Sequence, residues 1–142
     1  MILLDTNIIS EAWRPRPNPF VLGWLETQPF NSLYVCTPVL AELRFGAERL
    51  DAGRRRDRLR ASIDQLENEG YRGRVLVLDG AAAAEYGRLV ANRERAGRRM
   101  ELMDAMIAAI AVTHRAALAT RDVDDFAGLD IEIINPFAFG VT

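Results

Sequence analysis

Short apolar runs alternate along the chain with longer stretches that have apolar residues at helical spacing. Each short run is mostly apolar on both faces, which is typical of buried strands in a parallel sheet. The predicted strands are Ile2–Leu4, Leu33–Cys36, Val75–Leu78, Leu118–Thr120 and Ile131–Ile134. Strands separated by helices indicate the α/β class, with a parallel β-sheet core flanked by helices on both faces. The chain has no linker or repeat, so the pattern predicts a single domain over residues 1–142.

Local signals predict where the helices begin and end. Asn18 precedes Pro19 and Thr37 precedes Pro38, and a capping residue followed by proline favours a helix start. Asp79 is predicted to cap a further helix, and Gly70 to close the charged one before it. The predicted helices cover residues 6–13, 19 onward, 37–50, 54–69, 80–97 and 100–117. The last of these is the most hydrophobic, which indicates a central position in the fold.

The composition excludes several kinds of enzyme. All 18 basic residues are arginine, so the chain lacks the lysine of a P-loop or a Schiff base. Cys36 and His114 are the single cysteine and histidine, which excludes an internal disulfide and a zinc site built from these residues. The net charge of -2 does not indicate a strongly basic nucleic-acid binder, although a local patch or a metal can offset negative charge.

The sequence also predicts a cytoplasmic protein without membrane contact. Asp5 interrupts the first apolar run, so the N-terminus does not look like a signal peptide. The longest apolar stretch, residues 105–112, is too short to span a bilayer.

Four carboxylates occupy unusual places in this pattern. Asp5 follows the first strand and Asp122 follows the fourth, where the crevice of an open α/β sheet binds its ligands. Glu42 lies near the start of the helix after the second strand. Asp104 lies inside the most apolar helix, where a lone carboxylate is costly unless it is paired or bound to a metal. Converging acids repel one another, so such a cluster indicates a shared Mg²⁺ or Mn²⁺.

The spacing of these acids also permits structural roles. Asp5 is placed to cap the helix that follows it, and Glu42 to interact favourably with a helix dipole. Asp122, with Asp124 and Asp125, is typical of a turn. A metal ion held by oxygen ligands could polarise a phosphodiester and orient water, which is nuclease chemistry that needs no lysine, histidine or cysteine. Spacing alone leaves both interpretations open.

The segments around these acids resemble the motifs of PIN-domain ribonucleases, and most of all the FitB-like VapC toxins of toxin-antitoxin pairs. The order and spacing of the motifs match along nearly the whole chain. The matching segments are residues 1–10 (MILLDTNIIS), 41–46 (AELRFG), 104–109 (DAMIAA), 119–126 (ATRDVDDF) and the pair Asn135-Pro136.

This resemblance implies a site and an activity. The acidic quartet would be Asp5, Glu42, Asp104 and Asp122. The first, third and fourth of these would hold Mg²⁺ or Mn²⁺, while Glu42 would bind through water or support a second ion. Supporting positions are Thr6, Asn7, Thr120 and Asp125, the last of which could substitute for Asp122 or assist it. Family members cut single-stranded RNA and leave a 5′-phosphate and a 3′-hydroxyl.

The resemblance also implies partners. Such toxins usually form homodimers and higher toxin-antitoxin assemblies. A small cognate antitoxin of the VapB kind would block the acidic pocket with a basic side chain. We expect contact with DNA only through that antitoxin, because the chain has no helix-turn-helix signal and no basic face.

Other functions are compatible with parts of this pattern. A catalytically inactive PIN-fold binding or regulatory module is the main alternative, although the intact quartet argues against it. A metal-dependent phosphatase or a nuclease for DNA could use the same carboxylates. The basic block Arg54–Arg60 could contact RNA or a partner, but a solvated helix surface is the simpler interpretation. Trp13, Phe20 and Trp24 are expected to pack in the core unless a subset is exposed to an antitoxin helix.

Overall fold

Five strands form one parallel sheet in the computed structural model, which describes residues 1–140. The strands are β1 (Ile2–Leu4), β2 (Leu33–Cys36), β3 (Val75–Leu76), β4 (Ala117–Ala119) and β5 (Ile133–Ile134). Their order across the sheet is β3-β2-β1-β4-β5, and each neighbouring pair is parallel. The predicted class is therefore confirmed.

Strand β1 lies at the centre of the sheet and is covered on both faces. Ile2 pairs with Leu33 of β2 on one side and with Ala117 of β4 on the other. Leu3 and Leu4 are successive residues of a strand, so their side chains point to opposite faces. Both are buried, which requires packed helices above and below the sheet.

Six α-helices lie within the same described residues. They are α1 (Thr6–Ala12), α2 (Pro19–Thr27), α3 (Thr37–Glu48), α4 (Arg54–Gln65), α5 (Gly80–Arg95) and α6 (Leu102–His114). Shorter helical turns are Phe30–Ser32, Leu66–Gly70, Val123–Phe126 and Pro136–Ala138, the second of which is a π-helix. Helix α6 has six buried residues in its central part and packs against α5, which confirms its predicted central position.

Two predicted N-caps are confirmed, and the third helix begins where predicted but has a different cap. The Asn18 side chain accepts a hydrogen bond from the backbone N–H of Phe20 at 2.9 Å, and Asp79 accepts one from Ala82 at 2.9 Å. Thr37 is the first residue of α3 rather than its cap. Cys36 takes the cap position without a side-chain hydrogen bond, because the strand runs directly into the helix there.

Several predicted boundaries are also wrong by a few residues. Helix α6 begins two residues later than predicted. It ends three residues earlier than predicted, because Arg115 adopts a left-handed conformation (φ 53°). This lets Ala117 start β4 opposite Ile2. The charged helix changes to π geometry after Gln65 and includes Gly70, so the segment ends one residue later than predicted and Tyr71 is its cap. Strands β3 and β5 are each two residues shorter than expected.

Within residues 1–140, no helix is both long enough and apolar enough to cross a membrane.

Candidate active site

The candidate site lies where β1 and β4 end beside each other. From β1 the chain reaches β2 on one side of the sheet, while β4 lies on the other side, so the strand order reverses at this point. Such a reversal opens a crevice at the carboxyl ends of the strands, where α/β proteins bind their ligands. Asp5 directly follows β1, and Thr120 and Asp122 closely follow β4.

Asp5 is buried in this crevice but well supplied with hydrogen bonds. Its side chain is 4% exposed and accepts a bond of 2.8 Å from the backbone N–H of Thr6, so it caps α1. The hydroxyl of Thr120 donates to its second oxygen at 2.7 Å. Burial raises the pKa of Asp5, while the bonds from Thr120 and Thr6 act in the opposite direction. The capping role and the site role are therefore compatible.

Asn7 connects Asp5 with the loop that follows β4. Its amide nitrogen donates to the Asp5 carboxylate at 3.3 Å, to the Asp122 carboxylate at 3.0 Å and to the Thr120 hydroxyl at 3.4 Å. Its amide oxygen accepts from the backbone N–H of Arg121 at 3.2 Å. One neutral side chain thus bridges two carboxylates that would otherwise repel each other.

Glu42 enters the site from α3. The Thr6 hydroxyl donates to its Oε1 at 2.8 Å, which ties α3 to the start of α1. Glu42 and Asp122 line one cavity of about 540 Å³. Three of the four predicted acids are therefore linked through the predicted supporting residues.

Asp104 approaches from α6 and lies in the first turn of that helix, not in its interior as the sequence suggested. The reason is the later start of α6. The pKa of Asp104 is raised to about 6, mainly by burial and also by the negative charges of Asp5, Asp125, Glu42 and Asp122. In the described part of the chain, no side-chain hydrogen bond is made to its carboxylate to offset these effects.

Asp125, the alternative fourth acid, lies near Asp104. It is exposed in the helical turn Val123–Phe126, and it lines a cavity of about 660 Å³ together with Asp104 and Asp124. Asp122 accepts the Asn7 hydrogen bond and lines a cavity of about 410 Å³ together with Asp125. Asp125 thus lines one cavity with Asp104 and another with Asp122.

The donor set matches a hard divalent cation, because it consists of carboxylate, hydroxyl and amide oxygens. Among residues 1–140, however, no three acids are already arranged around one point. Asn7 instead bridges Asp5 and Asp122, as expected of carboxylates that need a positive or polar partner between them. The residues fit such an ion in their chemistry.

Sequence reasoning missed a buried carboxylate beside these acids, which pairs with two exposed arginines. Glu11 is 5% exposed and lies one helical turn after Asn7, a spacing that could have indicated it. Its carboxylate pairs with Arg14 at 3.2 Å and with Arg121 at 3.3 Å. The Arg121 guanidinium also stacks on the Phe137 ring at 4.1 Å from its centre.

The other sequence features lie outside this acidic cluster. In the basic block, Arg60 pairs with Glu48 through two bonds of 2.7 Å, whereas Arg55 and Arg58 line a cavity that extends to Glu42. Of the three aromatic residues, Trp24 is buried, and Trp13 and Phe20 are 37% and 42% exposed. Core packing is thus confirmed for Trp24 alone.

Comparison with known proteins identifies close similarity over almost the whole chain. The PIN domain family model matches residues 2–132. The chain is 40% identical to the plasmid stability protein StbB of Pseudomonas syringae, over 96% of this chain and 99% of that protein. It is 39% identical to the VapC ribonuclease Y4jK of Sinorhizobium fredii, over 96% of this chain and 98% of that protein.

A solved structure extends this similarity to three dimensions. FitAcB from Neisseria gonorrhoeae aligns with a TM-score of 0.87 and 36% identity, over 96% of this chain and 99% of that chain.

Proposed function

The chain belongs to the PIN domain family, and we propose that it is a Mg²⁺- or Mn²⁺-dependent endoribonuclease, the toxin of a type II toxin-antitoxin pair. The observation that carries this proposal is the hydrogen-bonded arrangement of Asp5, Asp122 and Glu42 through Asn7, Thr120 and Thr6. The 39% identity to a protein named as a VapC ribonuclease supports the same activity.

Carboxylates from four parts of the chain would hold the metal. Asp5, Asp104 and Asp122 would bind it directly, and Glu42 through water or with a second ion. When bound, the ion would supply Lewis-acid polarisation of the phosphodiester and activation of the attacking water. Asp104 supports this assignment, because burial and the negative charges of four other acids together raise its pKa to about 6. A cation would remove that cost.

The remaining residues would orient these acids and leave water as the nucleophile. Thr120 and Thr6 hold the Asp5 and Glu42 carboxylates, and Asn7 holds that of Asp122. Burial raises the pKa of the Cys36 thiol to about 12, so it is not a thiolate at neutral pH. His114 is at the far end of α6 from Asp104. Neither side chain can therefore act as the nucleophile at phosphorus or as the general base.

A cognate antitoxin is the expected partner. The solved relative FitAcB, and a FitAB structure with bound DNA that aligns at a TM-score of 0.90 and 35% identity, support an assembly of this kind. We propose that a basic antitoxin side chain enters the acidic crevice and blocks the site, and that DNA is contacted through the antitoxin. A homodimer of the toxin remains our prediction.

The test is cleavage of a mixed RNA pool by purified protein freed of antitoxin. Cutting should require Mg²⁺ or Mn²⁺ and stop in EDTA. Asp5→Asn should lower the rate at least about 100-fold, since even outer-shell changes at metal sites cost 10–100-fold. Asp51→Asn is the matched control, because it makes the same change at an exposed position between α3 and α4.

The outcomes separate the candidate functions. Full activity of Asp5→Asn would contradict the proposed site. Metal-dependent stabilisation against heat without cutting would indicate a narrow target RNA that the pool lacks. Absence of both cutting and stabilisation by metal would favour the catalytically inactive binding module.

A further inference from the structure

Arg121 is an exposed cation held in place beside the acidic crevice. Half of its side chain (51%) is accessible, yet its guanidinium is fixed on two sides. One nitrogen donates to Glu11 at 3.3 Å, and the group lies over the Phe137 ring at 4.1 Å from its centre. Stacking and an ion pair together reduce the rotamer freedom that an exposed arginine normally keeps.

The buried carboxylate that holds Arg121 is shared. Glu11 also accepts from Arg14 at 3.2 Å and from the backbone N–H of Asn18 at 3.2 Å. Two guanidinium groups on one carboxylate leave a local excess of one positive charge. This charge lies next to the acids, in a protein whose net charge is -2.

The excess positive charge faces the same cavity as two of the proposed metal ligands. Arg14, Arg121, Glu42 and Asp122 all line the cavity of about 540 Å³. An RNA strand that approaches Glu42 and Asp122 meets negative charge there, so it needs a cation nearby to bind. Arg121 directly precedes Asp122 in the chain, so this cation is adjacent in sequence to a proposed metal ligand.

Arg93 is an arginine with a purely structural role, and its contacts differ from those of Arg121. Arg93 is 8% exposed, and its guanidinium donates to the backbone carbonyls of Asp125 and Ala127 at 3.2 and 2.7 Å. Its donors are used to hold the turn after β4. The Arg121 side chain, in contrast, is half accessible, donates to the Glu11 side chain and lines the cavity.

We propose that Arg121 binds an RNA backbone phosphate adjacent to the phosphodiester that is cut, with Glu11 and Phe137 as its positioning residues. The planar guanidinium fork matches two phosphate oxygens, which a pre-oriented arginine binds with little loss of entropy. Arg14, which also pairs with Glu11, would contribute further positive charge. This inference rests on the proposed ribonuclease function and identifies a substrate contact at that site.

The test measures binding of a fluorescein-labelled single-stranded RNA of mixed sequence by fluorescence anisotropy in Mg²⁺. All proteins carry Asp5→Asn so that the RNA stays intact. Adding Arg121→Ala should raise Kd about tenfold and lower the slope of log Kd against log salt concentration by about 1. Arg121→Lys should keep the slope but lose part of the affinity, since lysine retains the charge without the fork.

Arg88→Ala is the control, because it removes an exposed arginine of α5 that pairs with Glu85 instead of facing the crevice. It should change neither Kd nor the slope. Unchanged binding in Arg121→Ala, or an equal loss in Arg88→Ala, would overturn the inference. The binding assay needs no cleavage. If the protein with Asp5 intact neither cuts RNA nor gains stability from metal, the proposed nuclease fails, while weaker RNA binding in Arg121→Ala would still support this contact.

Discussion

The carboxylates on the two sides of the acidic crevice differ in their burial and in their hydrogen bonds. Asp5 is almost completely buried, yet hydrogen bonds from Thr6, Asn7 and Thr120 compensate its charge. Asp104 is less buried, but its pKa reaches about 6 because burial and four neighbouring acids act on it together. The comparison teaches that hydrogen-bond donors, and not burial alone, determine how far the pKa of a carboxylate rises.

This difference has a chemical meaning under the proposed function. The Asp5 side is organised by the protein alone, through the neutral donors of Asn7 and Thr120. The Asp104 side lacks such donors and would gain most from a cation. Removing a donor from the first side, or the charge from the second, should therefore have opposite effects on stability.

Thr120→Val should have the largest effect, because it removes the hydroxyl that donates to Asp5 at 2.7 Å while keeping the shape of the side chain. We expect cleavage to fall 10–100-fold, as for other residues that orient metal ligands. Loss of a bond to a buried charged group should also cost about 1–3 kcal/mol in the free energy of unfolding. RNA cleavage assays and urea unfolding measure the two effects.

Thr120→Ser is the matched control, since it restores the hydroxyl and removes one methyl group. It should keep most of the activity. Equal losses in the valine and serine variants would show that packing at Thr120 matters and that its hydrogen bond does not.

The pH dependence of stability tests the Asp104 side. A raised pKa means that the folded protein binds the Asp104 proton more tightly than the unfolded chain does. This contribution to stability is complete below the unfolded value of 3.8 and is lost as pH rises through about 6. In EDTA, the protein should therefore become less stable relative to Asp104→Asn between pH 4 and about 7. Urea unfolding of both proteins at several pH values gives this difference.

Mg²⁺ should recover the lost stability of the unmodified protein at neutral pH, and not that of Asp104→Asn. A constant difference between the two proteins across this pH range would contradict the raised pKa of Asp104.

The prediction for Cys36 has the smallest expected effect. It extends the comparison from carboxylates to a thiol that stays protonated. Burial raises the pKa of its thiol to about 12, and the negative charges of Asp5 and Glu42 act in the same direction. We expect iodoacetamide to leave the folded protein unmodified and fully active at pH 8, because the thiol is neither accessible nor ionised. Mass spectrometry before and after unfolding in urea measures the modification. Rapid labelling of the folded protein would contradict this expectation.

The sequence by itself determined the layered architecture and the local starts of several elements. The apolar runs around Leu3 and Val35 became strands buried on both faces, because hydrophobic periodicity acts over a few residues. Asn18 and Asp79 became caps for the same local reason. The positions of Asp5 and Asp122 shortly after the ends of two strands also followed from the α/β pattern.

Only the tertiary structure decided which side chains meet in the crevice. Asn7 contacts Asp122 across 115 positions of the chain, and Glu11 contacts Arg121 across 110. These contacts depend on the parallel register that pairs Ile2 with Ala117, which no local pattern specifies. The sequence could therefore indicate an acidic site, but its hydrogen-bond donors and the arginine beside it required the packed sheet, because strand pairing brings distant residues together.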